Sequence, residues 1–308
     1  MDRVDHYPSR SGDDTGILPR KDPVVYSSLP SISEDYRGLL QGYEANGFMS
    51  ISDLFSREEA QAMLQELQRL REDRELAASE QVITEPTSRE IRSVFRIHEL
   101  SALFRRITED PRITSLVRLI LNDELYLHQS RANYKPGFRG KEFYWHSDFE
   151  TWHVEDGMPR MRAVSVAITL TDNYDHNGPL MLVPGSHKRY VQCRGTTPEN
   201  HYRKSLKRQE YGVPRDENLQ RLYEAGGIYA FTGKVGSVVF FDCNTMHGSN
   251  GNITPLPRSN LFLVYNALSN RVQSPFSGMP PRPEFIATRK AFEPIGLNKS
   301  NIRRFGHP

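Results

Sequence analysis

Histidine and aspartate occur together in the most aromatic part of the chain. The segment Phe143–His153 contains His146 and Asp148, together with Trp145 and Trp152, which are the only two tryptophans. If this segment is extended, His146 and Asp148 lie on the same face, because side chains two positions apart do so in a strand. One imidazole and one carboxylate on a shared face are suitable ligands for a divalent metal ion. A His-x-Asp triplet is common by chance, so a third ligand has to come from elsewhere.

His247 is the best candidate for that third ligand. It follows an apolar predicted strand and precedes a turn rich in glycine and asparagine, which places it near a strand end. Arg258 stands eleven residues later and leads into the next apolar strand, and pairing of adjacent antiparallel strands would place it beside the metal.

Two histidines and one carboxylate form the facial triad of non-haem Fe(II) oxygenases. Such a triad leaves three coordination positions open, so a bidentate 2-oxo acid can take two of them and O₂ the third. The planar fork of Arg258 can bind the far carboxylate of 2-oxoglutarate.

The remaining histidines and the cysteines fit this chemistry less well. His187 lies in a Pro-Gly turn with no carboxylate at short spacing, so it could cap the turn or contact a ligand. His153 is five residues from Asp148, which puts it on the opposite face of an extended chain. Cys193 and Cys243 are isolated soft ligands that we expect to be buried or inert.

The elements that must position these residues change in type along the chain. Helical spacing of apolar residues predicts helices first, at 33–46, 56–73, 100–106 and 111–121. Ser56 and Glu59 have the spacing of a capping box. Short strands follow, at 125–134, 141–145, 162–170, 178–183, 237–241 and 260–267. Helices before many short strands favour an α+β fold with a jelly-roll core.

The domain organisation follows from the same patterns. Residues 1–32 show no periodicity and are predicted to form a flexible arm, whereas 33–308 are predicted to form a single domain with its β core at about 125–270. An insert at about 188–226 interrupts the strands. It is interpreted either as a solvated loop with a short helix or as a mobile cover over a pocket for an anion. Its basic residues are Lys188, Arg189, Arg194, Arg203, Lys204, Lys207 and Arg208.

Composition argues against several classes of protein. The 308 residues include 40 basic and 38 acidic side chains, and a net charge of +2 argues against nucleic-acid binding driven by bulk charge. No stretch approaches the roughly 18 apolar residues of a membrane span, and the charged N-terminus lacks the apolar region of a secretory signal. Two cysteines in this length indicate a cytoplasmic protein. The sequence leaves the monomer and the homodimer both open.

The pattern of candidate ligands resembles a known enzyme family. His146-x-Asp148, His247 and Arg258 are arranged as in the phytanoyl-CoA hydroxylase family of Fe(II)/2-oxoglutarate dioxygenases, and the run Gly178–His187 is similar to a strand and turn of that family. Longer motifs resemble the ectoine hydroxylases within it, and this resemblance extends from about residue 36 to residue 291. Those motifs are Gln129–Gly137, Phe143–Pro159 and Asn244–Asn250.

The resemblance implies a fold, a reaction and a set of roles. The fold is a double-stranded β-helix, the cupin-like jelly roll, with N-terminal and flanking helices. The reaction converts ectoine to 5-hydroxyectoine with Fe(II), 2-oxoglutarate and O₂, and releases succinate and CO₂. The implied roles are iron binding by His146, Asp148 and His247, 2-oxoglutarate binding by Lys135, Arg258 and Asn133, and ectoine binding by Gln129 and Trp152.

The residue types are compatible with this substrate. Ectoine is a small ring with a delocalised amidinium and a carboxylate. Trp152 offers an aromatic face to a cation, and Gln129 offers an amide that donates and accepts. The alternatives are a core role for Trp152 and a solvated strand-end lysine at Lys135.

Two other functions stay open at this point. One is the same chemistry on another small zwitterionic metabolite, and the other is a non-catalytic jelly-roll binding domain. A halogenase of this family would lack the carboxylate that Asp148 supplies.

Overall fold

Most of the α-helices lie in the first 121 residues. The computed structural model describes residues 4–12, 15–28, 33–85, 90–200, 202, 206 and 211–296. In this part of the chain the helices are α1 (Glu34–Asn46), α2 (Arg57–Glu72), α3 (Arg74–Ala77), α4 (Ile97–Leu100), α5 (Ala102–Thr108), α6 (Pro111–Leu121), α7 (Asp148–Thr151) and α8 (Asp216–Gly226).

Helix α2 shows how the N-terminal helices attach to the core. The predicted capping box is present, because the Ser56 side chain accepts from the Glu59 backbone and the Glu59 carboxylate accepts from the Ser56 backbone. This exchange satisfies two backbone donors that would otherwise be unpaired at the helix start. The buried face of the helix joins the largest apolar cluster, which also contains residues of the central strands. It consists of Ala60, Met63, Leu67 and Leu70.

In the described residues, the strands form two antiparallel sheets and one separate pair. A seven-stranded sheet has the order β2-β11-β7-β13-β5-β4-β3, a four-stranded sheet has the order β10-β8-β12-β6, and β1 pairs with β9. The strands are β1 (Ile17–Pro19), β2 (Phe48–Ile51), β3 (Val82–Thr84), β4 (Ile91–Phe95), β5 (Leu125–Lys135), β6 (Phe143–His146), β7 (Ala163–Thr169), β8 (Leu180–Leu182), β9 (Arg189–Val191), β10 (Tyr229–Phe231), β11 (Val238–Asp242), β12 (His247–Ser249) and β13 (Arg258–Ala267).

The two large sheets face each other. Leu182 and Phe231 of the smaller sheet share one buried apolar cluster with Val239 and Phe262 of the larger sheet. The helices cover the opposite face of the larger sheet. The chain therefore has the expected α+β architecture with a cupin-like jelly-roll core. All six predicted strands are present, each within three residues of its predicted ends.

The N-terminal residues differ from the expectation of a flexible arm. Residues 4–12 and 15–28 pack on the core, and β1 pairs with β9 of the predicted insert. Tyr7 is fully buried, its ring lies edge-on against Phe149, and its hydroxyl donates to Asp22 at 2.7 Å. The polar composition of this segment predicted disorder, because a polar segment has few apolar side chains to bury. In the structure, buried side chains such as Tyr7 supply enough contacts to hold the segment on the core. Part of the predicted arm, residues 1–3, 13–14 and 29–32, lies outside the described residues.

In the described ranges, no helix is both long enough and apolar enough to cross a bilayer.

Candidate metal centre and its pocket

Strand pairing brings two histidines together. In the register of β6 with β12, His146 lies opposite His247, and their ring centroids are 4.3 Å apart. The Nδ1 atom of His146 lies 2.7 Å from the Tyr144 carbonyl oxygen, and that of His247 lies 2.9 Å from the Thr245 carbonyl oxygen. A ring N–H that donates to a carbonyl leaves the other nitrogen, Nε2, with a free lone pair. Both histidines are therefore oriented as ligands through Nε2.

Asp148 lies beside the two histidines, but on a helix and not on the predicted strand. The strand ends at His146, and Asp148 begins the short helix α7. Its carboxylate nevertheless lies between the two rings, with Oδ1 3.7 Å from Nε2 of His146 and Oδ2 3.7 Å from Nε2 of His247. The expectation that a single extended strand presents both His146 and Asp148 is wrong. The helical turn after Ser147 brings the carboxylate back over the ring.

The three ligand atoms fit one metal ion. They all lie within 4.8 Å of one another, and the three residues are buried. Burial, with a smaller contribution from the neighbouring His247, lowers the pKa of His146 to about 4. Burial alone would raise the pKa of Asp148, but His247, His146 and Arg131 together lower it. At neutral pH this gives a neutral imidazole at His146 and a carboxylate at Asp148, which are the forms that bind a divalent cation.

The other predicted cofactor residues lie on the facing sheet. Arg258 begins β13, where it pairs with Lys135 of β5. The expectation that Arg258 follows His247 on an adjacent strand is wrong, because the chain crosses from the smaller sheet to the larger one between them. The Lys135 side chain extends from the larger sheet to the smaller one. Its Nζ donates to Ser249 Oγ at 2.8 Å, and Ser249 is two residues beyond His247. Both cations therefore lie in the space between the sheets, on the side of β12.

Among the described residues, no carboxylate forms an ion pair with Arg258 or Lys135. In the part of the chain that the structure describes, the Arg258 guanidinium donates only to the Gly178 carbonyl, at 2.7 and 3.1 Å. Burial lowers its pKa to about 10, with a further contribution from the Arg92 cation. Burial, with contributions from Arg258 and Arg92, also lowers the pKa of Lys135 well below its ordinary value, although Glu85 and Glu142 act in the opposite direction. A bound dicarboxylate would compensate this charge.

Gly178 allows the close approach of these cations. Its φ of +74° is in the region that favours glycine, and a Cβ there would lie 2.8 Å from Lys135 Cδ and 2.6 Å from the Asn250 carbonyl oxygen. A side chain at this position would therefore fill the space beside Lys135.

Arg131 is a pocket residue that the sequence interpretation missed. Alternate residues of β5 share a face, so Gln129, Arg131, Asn133 and Lys135 lie on the same side of the sheet. Asp148 acts electrostatically on Arg131, and Arg131 Nε is buried with no hydrogen-bond partner among the described residues. The period of two in Gln-Ser-Arg-Ala-Asn-Tyr-Lys was the signal that could have identified it. Asn133 itself accepts a hydrogen bond from Ser93 Oγ at 2.8 Å.

The two predicted substrate residues are buried near the metal ligands. Gln129 pairs with Val264 of β13, and Val264 pairs in turn with Ser165. Ser165 Oγ donates to Asp148 at 3.3 Å. Trp152 is 3% exposed and belongs to the apolar cluster that contains Val264. The indole thus combines a core position with proximity to Asp148, and it begins a π-helical turn, Trp152–Asp156, directly after α7.

The rival residues lie outside the metal centre. His187 Nε2 is 3.1 Å from the Glu44 carbonyl oxygen, and His153 lies between Asp5 and the Met158 carbonyl. Cys193 and Cys243 are buried free thiols, as expected. In the insert, α8 is present, but Arg203, Lys204, Lys207 and Arg208 lie outside the described residues. The mobile-cover interpretation therefore stays a prediction.

Known proteins share this sequence and architecture. Residues 43–260 match the sequence profile of the family described as phytanoyl-CoA dioxygenase (PhyH). The "Ectoine dioxygenase" of Bordetella bronchiseptica is 55% identical, with 94% of each chain covered. The "Ectoine dioxygenase" of Streptomyces coelicolor is 48% identical, with 95% of this chain and 97% of the relative covered.

Solved structures agree with the sequence relatives. The crystal structure of EctD from S. alaskensis with 2-oxoglutarate and 5-hydroxyectoine has a TM-score of 0.82 and 45% identity, and covers 95% of this chain and 100% of that one. The structure of the same protein with bound Fe has a TM-score of 0.80, with the same identity and coverage. The chain therefore belongs to the phytanoyl-CoA dioxygenase family and, within it, to the ectoine dioxygenases.

Proposed function

We propose that this protein is an Fe(II)- and 2-oxoglutarate-dependent dioxygenase that hydroxylates ectoine to 5-hydroxyectoine and releases succinate and CO₂. The observation that carries the proposal is the His146–Asp148–His247 centre, which faces buried cations on the opposite sheet that no described carboxylate contacts. The EctD structure with 2-oxoglutarate and 5-hydroxyectoine supports the choice of substrates.

His146, Asp148 and His247 would hold the iron. Bound there with 2-oxoglutarate, iron would supply the O₂-dependent oxidation of the ectoine ring carbon, with 2-oxoglutarate oxidised to succinate and CO₂. The protein's part is to fix the ligand geometry. The Tyr144 and Thr245 carbonyls orient the two imidazoles.

Lys135 and Arg258 would bind 2-oxoglutarate. A fork of two guanidinium N–H groups matches a carboxylate, and the Gly178 carbonyl holds that fork in place. Lys135 adds a second, buried cation next to it. Asn133 is proposed to stabilise this wall through its hydrogen bond with Ser93.

Gln129 and Trp152 would contact ectoine. The indole offers its face to the amidinium. The Gln129 side chain is fixed by donation from Nε2 to the Ile286 carbonyl oxygen at 2.7 Å. Arg131, on the same face of β5, supplies a cation near Asp148 for an anionic group in the pocket.

We propose a cytoplasmic location for this reaction. Both cysteines are free and buried, as is usual in a reducing compartment.

The proposal is tested by the products formed from a panel of small zwitterions with Fe(II), 2-oxoglutarate and O₂. We expect ectoine to give equal amounts of succinate and 5-hydroxyectoine. If another zwitterion stimulated succinate release more strongly than ectoine, that zwitterion would be the substrate instead. Stimulation by no member of the panel would favour the binding-domain alternative.

Replacing Asp148 or His247 by alanine should abolish stoichiometric Fe(II) binding and turnover while the protein stays folded. Loss of one of three protein ligands removes the site's affinity, whereas the surrounding sheets remain paired. Metal content after anaerobic loading measures this, and circular dichroism checks the fold. His176→Ala, at a half-exposed surface histidine, serves as the control. Full iron loading of Asp148→Ala would exclude this assignment.

Arg258→Lys should raise the 2-oxoglutarate concentration needed for half-maximal rate by about tenfold or more, because lysine keeps the charge but loses the bidentate fork. Iron binding should change little. The matched control is Arg69→Lys on the exposed face of α2. An unchanged 2-oxoglutarate requirement in Arg258→Lys would show that the guanidinium has another role.

Trp152→Ala should weaken ectoine binding by at least about tenfold. Cation–π contact in a dry pocket contributes about 1–2 kcal/mol, and about 1.4 kcal/mol corresponds to one decade in affinity. Trp152→Phe should fall between alanine and the wild type, and Fe(II) and 2-oxoglutarate should still bind. Trp145→Phe is the control, because Trp145 packs in a different apolar cluster. Equal ectoine dependence in all these proteins would assign Trp152 to the core alone.

A further inference from the structure

The N-terminal segment is attached to the segment that carries Asp148 and Trp152. The guanidinium of Arg10 contacts the Glu150 carboxylate in a bidentate manner, with Nε to Oε1 at 2.9 Å and Nη2 to Oε2 at 2.6 Å. Its third nitrogen, Nη1, donates to Glu155 Oε1 at 2.5 Å. One side chain from outside the β core therefore binds the Asp148–Asp156 segment at two points, on either side of Trp152.

This ion-pair cluster is dry. The side chains of Arg10 and Glu150 are each 1% exposed, and that of Glu155 is 4% exposed. Charged hydrogen bonds in a dry environment are strong and directional, and loss of one partner leaves a buried charge without compensation. Gly212, with a φ of +69°, covers the cluster. A Cβ there would lie 2.6 Å from both Arg10 Nη2 and Glu150 Oε2.

The backbone around Arg10 is arranged to present this side chain. Arg10 has a φ of +55°, a left-handed conformation that residues other than glycine seldom adopt. Its backbone N–H donates to the Cys193 carbonyl oxygen at 2.8 Å, and the neighbouring Ser9 hydroxyl donates to Glu150 at 2.7 Å. Hydrogen bonds from the N-terminal segment and from the residues after β9 thus hold Arg10 and Glu150 in contact.

The position of Glu150 connects the cluster to the chemistry. Glu150 is two residues beyond Asp148, in the same four-residue helix, so a shift of Glu150 moves the carboxylate that lies between the two imidazoles. We propose that Arg10 is a positioning residue for hydroxylation, a role that rests on the proposed function. Through Glu150 and Glu155 it fixes Asp148 relative to His146 and His247, and fixes the indole of Trp152 over the substrate.

Three variants test this role. Arg10→Lys keeps the cation and loses the fork. The double variant Arg10→Met/Glu150→Gln removes the cation and the Glu150 carboxylate, while Glu155 keeps Arg282 as a partner at 3.5 Å, so the fork is lost without leaving a buried charge unpaired. Arg112→Met is the control, because Arg112 also binds two carboxylates, Glu59 and Asp110, but does so between helices α2 and α6.

The expected results separate positioning from stability. Arg10→Lys and the double variant should bind Fe(II) more weakly than the wild type. They should show kcat lower by about tenfold or more, since a displacement of about 1 Å can cost about a hundredfold. They should also form less 5-hydroxyectoine per succinate, and ectoine should perturb the visible absorption of their anaerobic Fe(II)–2-oxoglutarate complex less. Arg112→Met should change only the melting temperature.

Wild-type iron affinity and product ratio in both Arg10 variants would overturn the inference and leave Arg10 with a purely stabilising role. Failure of the wild type to form 5-hydroxyectoine would instead overturn the proposed function. Iron affinity does not depend on the substrate, so it tests Arg10 in that case as well.

Discussion

The burial of the Asp148 carboxylate between two imidazole rings is the constraint on which the rest of the structure depends. A carboxylate in a dry interior is costly unless charges and hydrogen bonds compensate it. Here His146, His247 and Arg131 hold its pKa below the ordinary value, and Ser165 donates a hydrogen bond. A divalent cation would complete this compensation, so the site is electrostatically prepared for metal.

Separate parts of the chain have to meet at this point. The register of β6 with β12 sets the two histidines opposite each other, and a helical turn directly after β6 returns the carboxylate to them. The larger sheet then supplies the opposite wall, where Lys135 and Arg258 are cross-strand neighbours. Two sheets of fixed spacing thus separate a metal-binding side from an anion-binding side.

Much of this arrangement could be predicted from the sequence, and the exceptions have physical reasons. The period of two in the β5 sequence and the cap at Ser56 are local signals, and the structure agrees with both. The helical start at Asp148 could not be inferred from His-x-Asp spacing, because an extended strand and a turn both bring these residues together. The sheet change between His247 and Arg258 depends on tertiary topology.

The packing of the N-terminal segment on the core also could not be predicted from the sequence. Tyr7 and Arg10 lie in a polar stretch without periodicity. Their partners, such as Phe149 and Glu150, are about 140 residues away. Only the folded chain shows that a segment with the composition of a loose arm contributes buried side chains beside the metal centre.

The most direct measurement is an anaerobic crystal structure of the protein with Fe(II), 2-oxoglutarate and ectoine, with the iron located by anomalous scattering. We expect one iron peak bonded to His146, Asp148 and His247, with the far carboxylate of 2-oxoglutarate on Arg258 and the ectoine ring between Trp152 and the iron. An iron peak away from these three residues, or ectoine bound outside the space between the two sheets, would contradict the proposed site.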